Sequence, residues 1–175
     1  MYQPKMIKII FLDIDGVIAI PDVVKDGMWG LCDEKQKLIG EIIKRTDAKI
    51  VLSSSWRKHD LDSTKEFMNR AGFLFCDKII GVTIRAYHYI EKGSNIHLSI
   101  PRGVEIKQWI DTNIHSIQGK NYNRKKKGVD YNYVILDDDT DMLLEQKDNF
   151  IQTDCMLGLS ESDMAVAVTI LNTIA

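Results

Sequence analysis

Cysteine is scarce in this chain, and what there is lies scattered. Cys32, Cys76 and Cys155 form no CxxC pair, which excludes a zinc ribbon and a disulfide-stapled scaffold and suits a reducing compartment. Long apolar runs are missing too: the first, Ile9-Ile10-Phe11-Leu12, stops at Asp13, far short of a signal-peptide core or a membrane span. No Pro-, Gly- or Ser-rich linker divides the sequence, and no internal repeat is present. Neither sign of charge dominates: 23 Lys plus Arg stand against 25 Asp plus Glu, for a formal net charge of -2. That excludes a globally basic nucleic-acid binder but leaves local patches open. The expectation is a soluble, cytoplasmic protein without membrane association or an evident obligate protein partner.

What is present is enough apolar material for a core. With 175 residues, 45% apolar and 27% charged, the chain reads as one domain, 1–175, and neither a disordered nor a collagenous protein. Four apolar runs have strand length: Ile7–Leu12, Lys49–Leu52, 73–75 and 133–136. None alternates cleanly, so each is expected to be buried on both faces, as in a parallel sheet. Helical spacing lies between them. Asp33 with Gln36 forms a capping signal ahead of Leu38, Ile39, Ile42 and Ile43. Ile106, Trp109 and Ile110 mark another helix, and Ser160 with Asp163 opens a last one carrying Met164, Ala167, Val168, Leu171 and Ile174. Strands alternating with helices predict an α/β fold with a central parallel sheet. Segments 19–31, 81–101 and 117–131 fit this scheme poorly, and the last holds Lys120, Arg124, Lys125, Lys126 and Lys127.

The carboxylates fall where ligands bind in such folds. Phe11-Leu12-Asp13-Ile14-Asp15-Gly16 sets two aspartates at the end of one buried strand, and Val134-Ile135-Leu136-Asp137-Asp138-Asp139 repeats this on another. Like charges within about 4–6 Å raise one another's pKa unless a cation intervenes. Two converging acidic clusters therefore ask for a hard divalent metal, and an oxygen-only site suits magnesium. A third strand ends in Ser53-Ser54-Ser55-Trp56-Arg57, where hydroxyls and backbone N–H groups can take phosphate oxygens and Arg57 can add charge.

Together these motifs, in this order, resemble those of the haloacid dehalogenase (HAD) superfamily of phosphohydrolases. The likeness runs from about Ile7 to Ile174. Arg102 is the best candidate for the single cationic residue of the third motif, where family members commonly carry Lys, and Lys107 is the second candidate. The Ser-Ser-Ser-Trp-Arg string and the Leu-Asp-Asp-Asp ending are most similar to small HAD domains related to polynucleotide 3′-phosphatases and to those of RNA-repair proteins. The resemblance implies a three-layer Rossmann-like core with a minimal cap or none. It implies Asp13 as nucleophile and Asp15 as general acid, then base. Magnesium would be held by Asp13, the backbone carbonyl of Asp15 and one or both of Asp137 and Asp138. Ser54, or else Ser53, would bind phosphate together with Arg102. Asp139 and Asp141 would start a helix or support the site from outside. Asp13 and Asp15 would point to opposite faces of a strand, so the chain must turn after Asp13, and Gly16 permits that.

A cap domain usually closes such sites over small substrates. The stretch from Asp15 to Ser53 is short and largely used by the helix beginning at Asp33, while 81–101 leaves room only for a small lid. An open site favours a phosphorylated substrate that is large, such as a nucleic-acid end, whose backbone the 120–127 run could contact. The alternatives are a small-metabolite phosphatase or 5′-nucleotidase, and a non-catalytic phospho-receiver-like module. Motif order disfavours the last, because a receiver keeps its phosphoacceptor on a middle strand. His59, His88, His97 and His115 share no ligand spacing. Trp56 is placed to line the site, and Met28 and Trp29 either to form a flap after the first motif or to cover the sheet.

Overall fold

The structure, a computed structural model, describes residues 6–25, 27–89, 97–117 and 131–173. The cationic run 120–127 lies outside the described residues. The chain order is β1 (Ile7–Leu12), β2 (Ala19–Lys25), β3 (Met28–Leu31), α1 (Asp33–Thr46), β4 (Lys49–Leu52), α2 (Leu61–Ala71) and β5 (Ile79–Val82). Then follow β6 (Tyr87–Tyr89), β7 (His97–Ser99), α3 (Arg102–Ile117), β8 (Tyr131–Asp137), β9 (Phe150–Gln152) and α4 (Glu161–Asn172).

Five strands form one parallel sheet in the order β5-β4-β1-β8-β9. Both faces of β1 are buried, which explains its lack of alternation. Ile10 and Leu12 pack with Ile39 and Ile42 of α1, Met68 of α2 and Val168 and Leu171 of α4. Ile9 and Phe11 point the other way, onto Ile106, Trp109 and Ile110 of α3. Each such fully buried side chain contributes about 1.5–3 kcal/mol relative to an exposed one. Phe11 also meets Trp109 edge-on, with centroids 5.5 Å apart. The result is the expected three-layer, Rossmann-like α/β core.

Register then sets the site. Leu12 of β1 lies level with both Leu52 and Leu136, so the next residues, Asp13, Ser53 and Asp137, emerge side by side. Two further rungs hold them there: Asp13 N–H donates to the Leu136 carbonyl at 3.0 Å, and Ser53 N–H to the Leu12 carbonyl at 2.9 Å.

Some expectations are corrected. Segment 73–75 is not a strand. Gly72 ends α2 in the left-handed region at φ +92°, Phe73 turns into the core and Phe75 leads a short 3-10 helix at Cys76–Lys78. The edge strand is instead Ile79–Val82, which the glycine at 81 made hard to see. Asp33 does not cap α1. It lies within the first turn, Cys32 is the N-cap and offers no side-chain cap, and the Gln36 side chain accepts from Leu74 N–H at 3.0 Å. Ser160 and Asp163 do open α4 as expected, and they do so as a capping box. Segment 19–31 holds an antiparallel hairpin of β2 and β3, the flap after the first motif. Within 81–101, β6 and β7 pair antiparallel. Among the described residues no helix is long and apolar enough to cross a membrane.

Candidate active site

At the end of β1 the chain leaves strand geometry at once. The Ile14 carbonyl accepts from the N–H groups of Ile18 and Ala19, while Ile14 N–H donates to Asp13 Oδ1 at 2.7 Å. Gly16 completes the turn at φ +68°. A Cβ there would overlap the Asp138 carboxylate, so glycine is required both by the left-handed backbone and by the close approach of an acidic side chain.

Carboxylate oxygens of Asp13, Asp137 and Asp138 gather within 4.8 Å of one another. Asp13 and Asp137 are buried. Asp137 Oδ1 accepts from Asp139 N–H at 3.0 Å, whereas Asp137 Oδ2 is buried with no hydrogen-bond partner. Burial, reinforced by the neighbouring Asp13 charge, pushes the Asp137 carboxyl up to about 8. Burial also raises Asp13 and Asp138, with Arg102 opposing it in both. An orphaned buried carboxylate oxygen in an all-oxygen donor set is what a hard divalent cation would satisfy, so these residues fit magnesium. The Asp15 carboxylate is not part of this cluster; the expected ligand there is its backbone carbonyl.

The serine turn after β4 approaches from one side. The Ser54 hydroxyl lies beside the Asp13 carboxylate and works against the rise in its pKa, and it accepts from Trp56 N–H at 3.2 Å. Ser53 contributes differently: its hydroxyl faces that of Thr83 at 3.5 Å. Of the two serines proposed for phosphate, the structure brings Ser54 to Asp13 and turns the Ser53 hydroxyl aside.

Three arginines fix this turn by its carbonyls. Arg102 donates to Ser53 O at 2.7 Å, Arg57 to Ser54 O at 2.6 Å and Arg85 to Ser55 O at 2.6 Å. Arg102 does more, because its Nη2 lies 3.9 Å from Asp13 Oδ2 and its Nε 3.8 Å from Asp137 Oδ2. The start of α3 aims it: Asp141 Oδ2 accepts from Arg102 N–H at 2.7 Å, which gives Asp141 the supporting place expected of it. Lys107 is not at the site; it pairs with Asp111 and Glu145 on the surface. Arg57 is not available to a phosphate either, since it is buried against Glu105 at 2.6 Å. Glu105 escaped sequence reasoning, although a carboxylate one turn before Trp109 on an apolar helix face was a usable signal.

Asp15 is held by the serine turn. Trp56 Nε1–H reaches both its oxygens at 3.0 Å, and Ser55 Oγ lies 3.3 Å from Oδ2. Trp56 is thus a contact of the expected acid, more than a wall of the site. From Asp15 a cleft of about 900 Å³ opens between the β2–β3 flap and α2.

Comparison with curated proteins and with solved structures returns no match. Comparison with family models does: the model describing the HAD domain in Swiss Army Knife RNA repair proteins matches residues 9–164, and the chain belongs to that family.

Proposed function

We propose that this protein is a magnesium-dependent phosphomonoesterase that works through an aspartyl-phosphate on Asp13, and that its substrate is a 3′-phosphate on nucleic acid or on a nucleotide. Family membership supports phosphohydrolase chemistry. The observation that carries the finer reading is the convergence of Asp13, Ser54, Arg102, Asp137 and Asp138 at one end of the sheet.

An oxygen of the Asp13 carboxylate attacks phosphorus as the bond to the leaving oxygen breaks. Asp15, held by Trp56 and Ser55, gives that oxygen its proton. Water then attacks the phosphorus of the aspartyl-phosphate and surrenders a proton to Asp15; phosphate departs and both carboxyl groups are restored. Ser54 and Arg102 orient the phosphoryl oxygens, Arg102 through fixed positive charge. A magnesium ion held by Asp13, Asp137 and Asp138 would neutralise the negative charge of the phosphoryl group during transfer.

The site opens onto a broad cleft beside a two-stranded flap, which supports a phosphate carried on a large molecule. The test is a panel of p-nitrophenyl phosphate, mononucleotides and 3′-phosphorylated oligonucleotides, each with magnesium. Phosphate release led by the 3′-phosphorylated oligonucleotides is expected. A preference for free 5′-nucleotides would contradict the substrate assignment, and no release from any of them would contradict the reaction.

A further inference from the structure

We infer that the cleft beside Asp15 is a binding subsite for the unstacked terminal base of single-stranded nucleic acid, an inference that rests on the phosphatase reading above. Its wall combines two features. Trp29, Trp56 and Phe67 line it with aromatic surface, and Lys25, Lys58 and Arg70 line it with positive charge. Among the described residues, Asp15, at the catalytic end, is the only carboxylate in that lining.

The aromatic groups differ in what they are free to do. Trp56 is committed through its Nε1–H to Asp15, and its ring meets Phe67 edge-on at 5.8 Å. Lys58 Nζ lies 3.5 Å above the Phe67 ring, where the cation and the ring face attract. Trp29 stands on the flap strand β3, 37% exposed. An exposed tryptophan on a two-stranded flap, facing a cleft with three cationic side chains, suits a flat aromatic ring attached to a polyanion. That is the chemistry of a nucleobase and its phosphates. A volume of about 900 Å³ falls in the range of about 300–1,000 Å³ found for small-ligand sites.

The polarity of the cleft also sets direction. A phosphate at Asp13 puts its leaving oxygen beside Asp15, and the cleft begins at Asp15. The nucleoside that carries the phosphate therefore enters the cleft first, and Lys25, Lys58 and Arg70 meet the phosphates that precede it. A paired terminal base would have to leave its stack to enter, so single strands are favoured over blunt duplexes.

Trp29→Ala tests this, because the side chain lies outside both hydrophobic cores and is not among the groups proposed to carry out the reaction. Steady-state kinetics on a 3′-phosphorylated single-stranded oligonucleotide and on acetyl phosphate, whose leaving group carries no aromatic ring, should separate. The expected KM for the oligonucleotide rises about tenfold or more, in keeping with the loss of one base–aromatic stack, while both constants for acetyl phosphate stay unchanged. Trp29→Phe should restore most of the loss. An oligonucleotide lacking only its terminal base should bind wild type and Trp29→Ala alike. Equal oligonucleotide KM in wild type and Trp29→Ala overturns the subsite. If wild type turns over neither substrate, the phosphatase reading fails. The subsite is then judged by fluorescence anisotropy of the labelled oligonucleotide, where an equal Kd for both proteins overturns it and a weaker Kd in Trp29→Ala upholds it.

Discussion

Glu105 and Arg57, 48 residues apart in sequence, form a buried ion pair at 2.6 Å, each side chain 4% exposed. The pair joins the serine turn to the first turn of the helix that carries Arg102. Arg57 also holds the carbonyls of Ser54 and Ile84, and the other oxygen of Glu105 accepts from Ala86 N–H at 2.8 Å. The groups proposed to bind phosphate, on two separate segments, are thereby fixed against each other.

Glu105→Ala would leave the Arg57 guanidinium buried and uncompensated. Breaking such a pair costs about 3–5 kcal/mol, and a loss of that size should be seen in denaturant unfolding. A change under about 1 kcal/mol would mean that water reaches Arg57 and the clamp is not structural.

Gly16→Ala should weaken magnesium binding by about tenfold or more, as displacement of a metal's supporting groups does. The added Cβ meets the Asp138 carboxylate and the left-handed φ is retained only at a cost of about 1–2 kcal/mol. Calorimetric titration with magnesium measures the first effect and thermal unfolding the second. Unchanged magnesium affinity would remove Asp138 from the metal site.

The acidic cluster makes stability depend on pH with a definite sign. The Asp137 carboxyl is raised from 3.8 to about 8 in the folded protein, so its protonated form is favoured by folding. That stability is present at low pH and is lost as pH rises toward about 8, with Asp13 and Asp138 shifted in the same direction. Metal-free protein should therefore lose Tm between pH 5 and pH 8. Magnesium binds the deprotonated carboxylates, so the Tm gain it gives should grow over the same interval. A magnesium-induced gain independent of pH would contradict the site.

How much of this could be read from the chain depended on distance along it. Asp13, Asp137 and Ser54 were legible because each lies within two residues of the end of a buried apolar run, and run and ligand are neighbours in sequence. Segment 73–75 misled because aromatic residues fill a core from a turn as well as from a strand: Phe73 packs under the sheet with no strand partner. The true edge strand was hidden because Gly81, pressed against Trp109, interrupts its apolar pattern. The Arg57–Glu105 and Trp56–Asp15 contacts join segments far apart in sequence, and no local pattern encodes such pairings. Trp56 was recognised only because it adjoins a motif.

Trp56→Phe removes the N–H that holds Asp15 and keeps most of the ring. Loss of that positioning should lower kcat by about tenfold, a fraction of what a general acid contributes, and should alter the pH–rate profile while KM for p-nitrophenyl phosphate stays near wild type. A pH profile that overlays that of wild type would leave Trp56 a packing residue only.

In the proposed reaction Asp13 accepts the phosphoryl group. The direct measurement is an acid quench of the working enzyme with magnesium and substrate, followed by mass spectrometry of the Asp13 peptide, in wild type and in Asp13→Asn. One phosphoryl group on Asp13 is expected in wild type and none in Asp13→Asn, with turnover in the variant lower by about a thousandfold or more. Turnover by Asp13→Asn at the wild-type rate, or a phosphoryl group on another residue, would contradict that reaction.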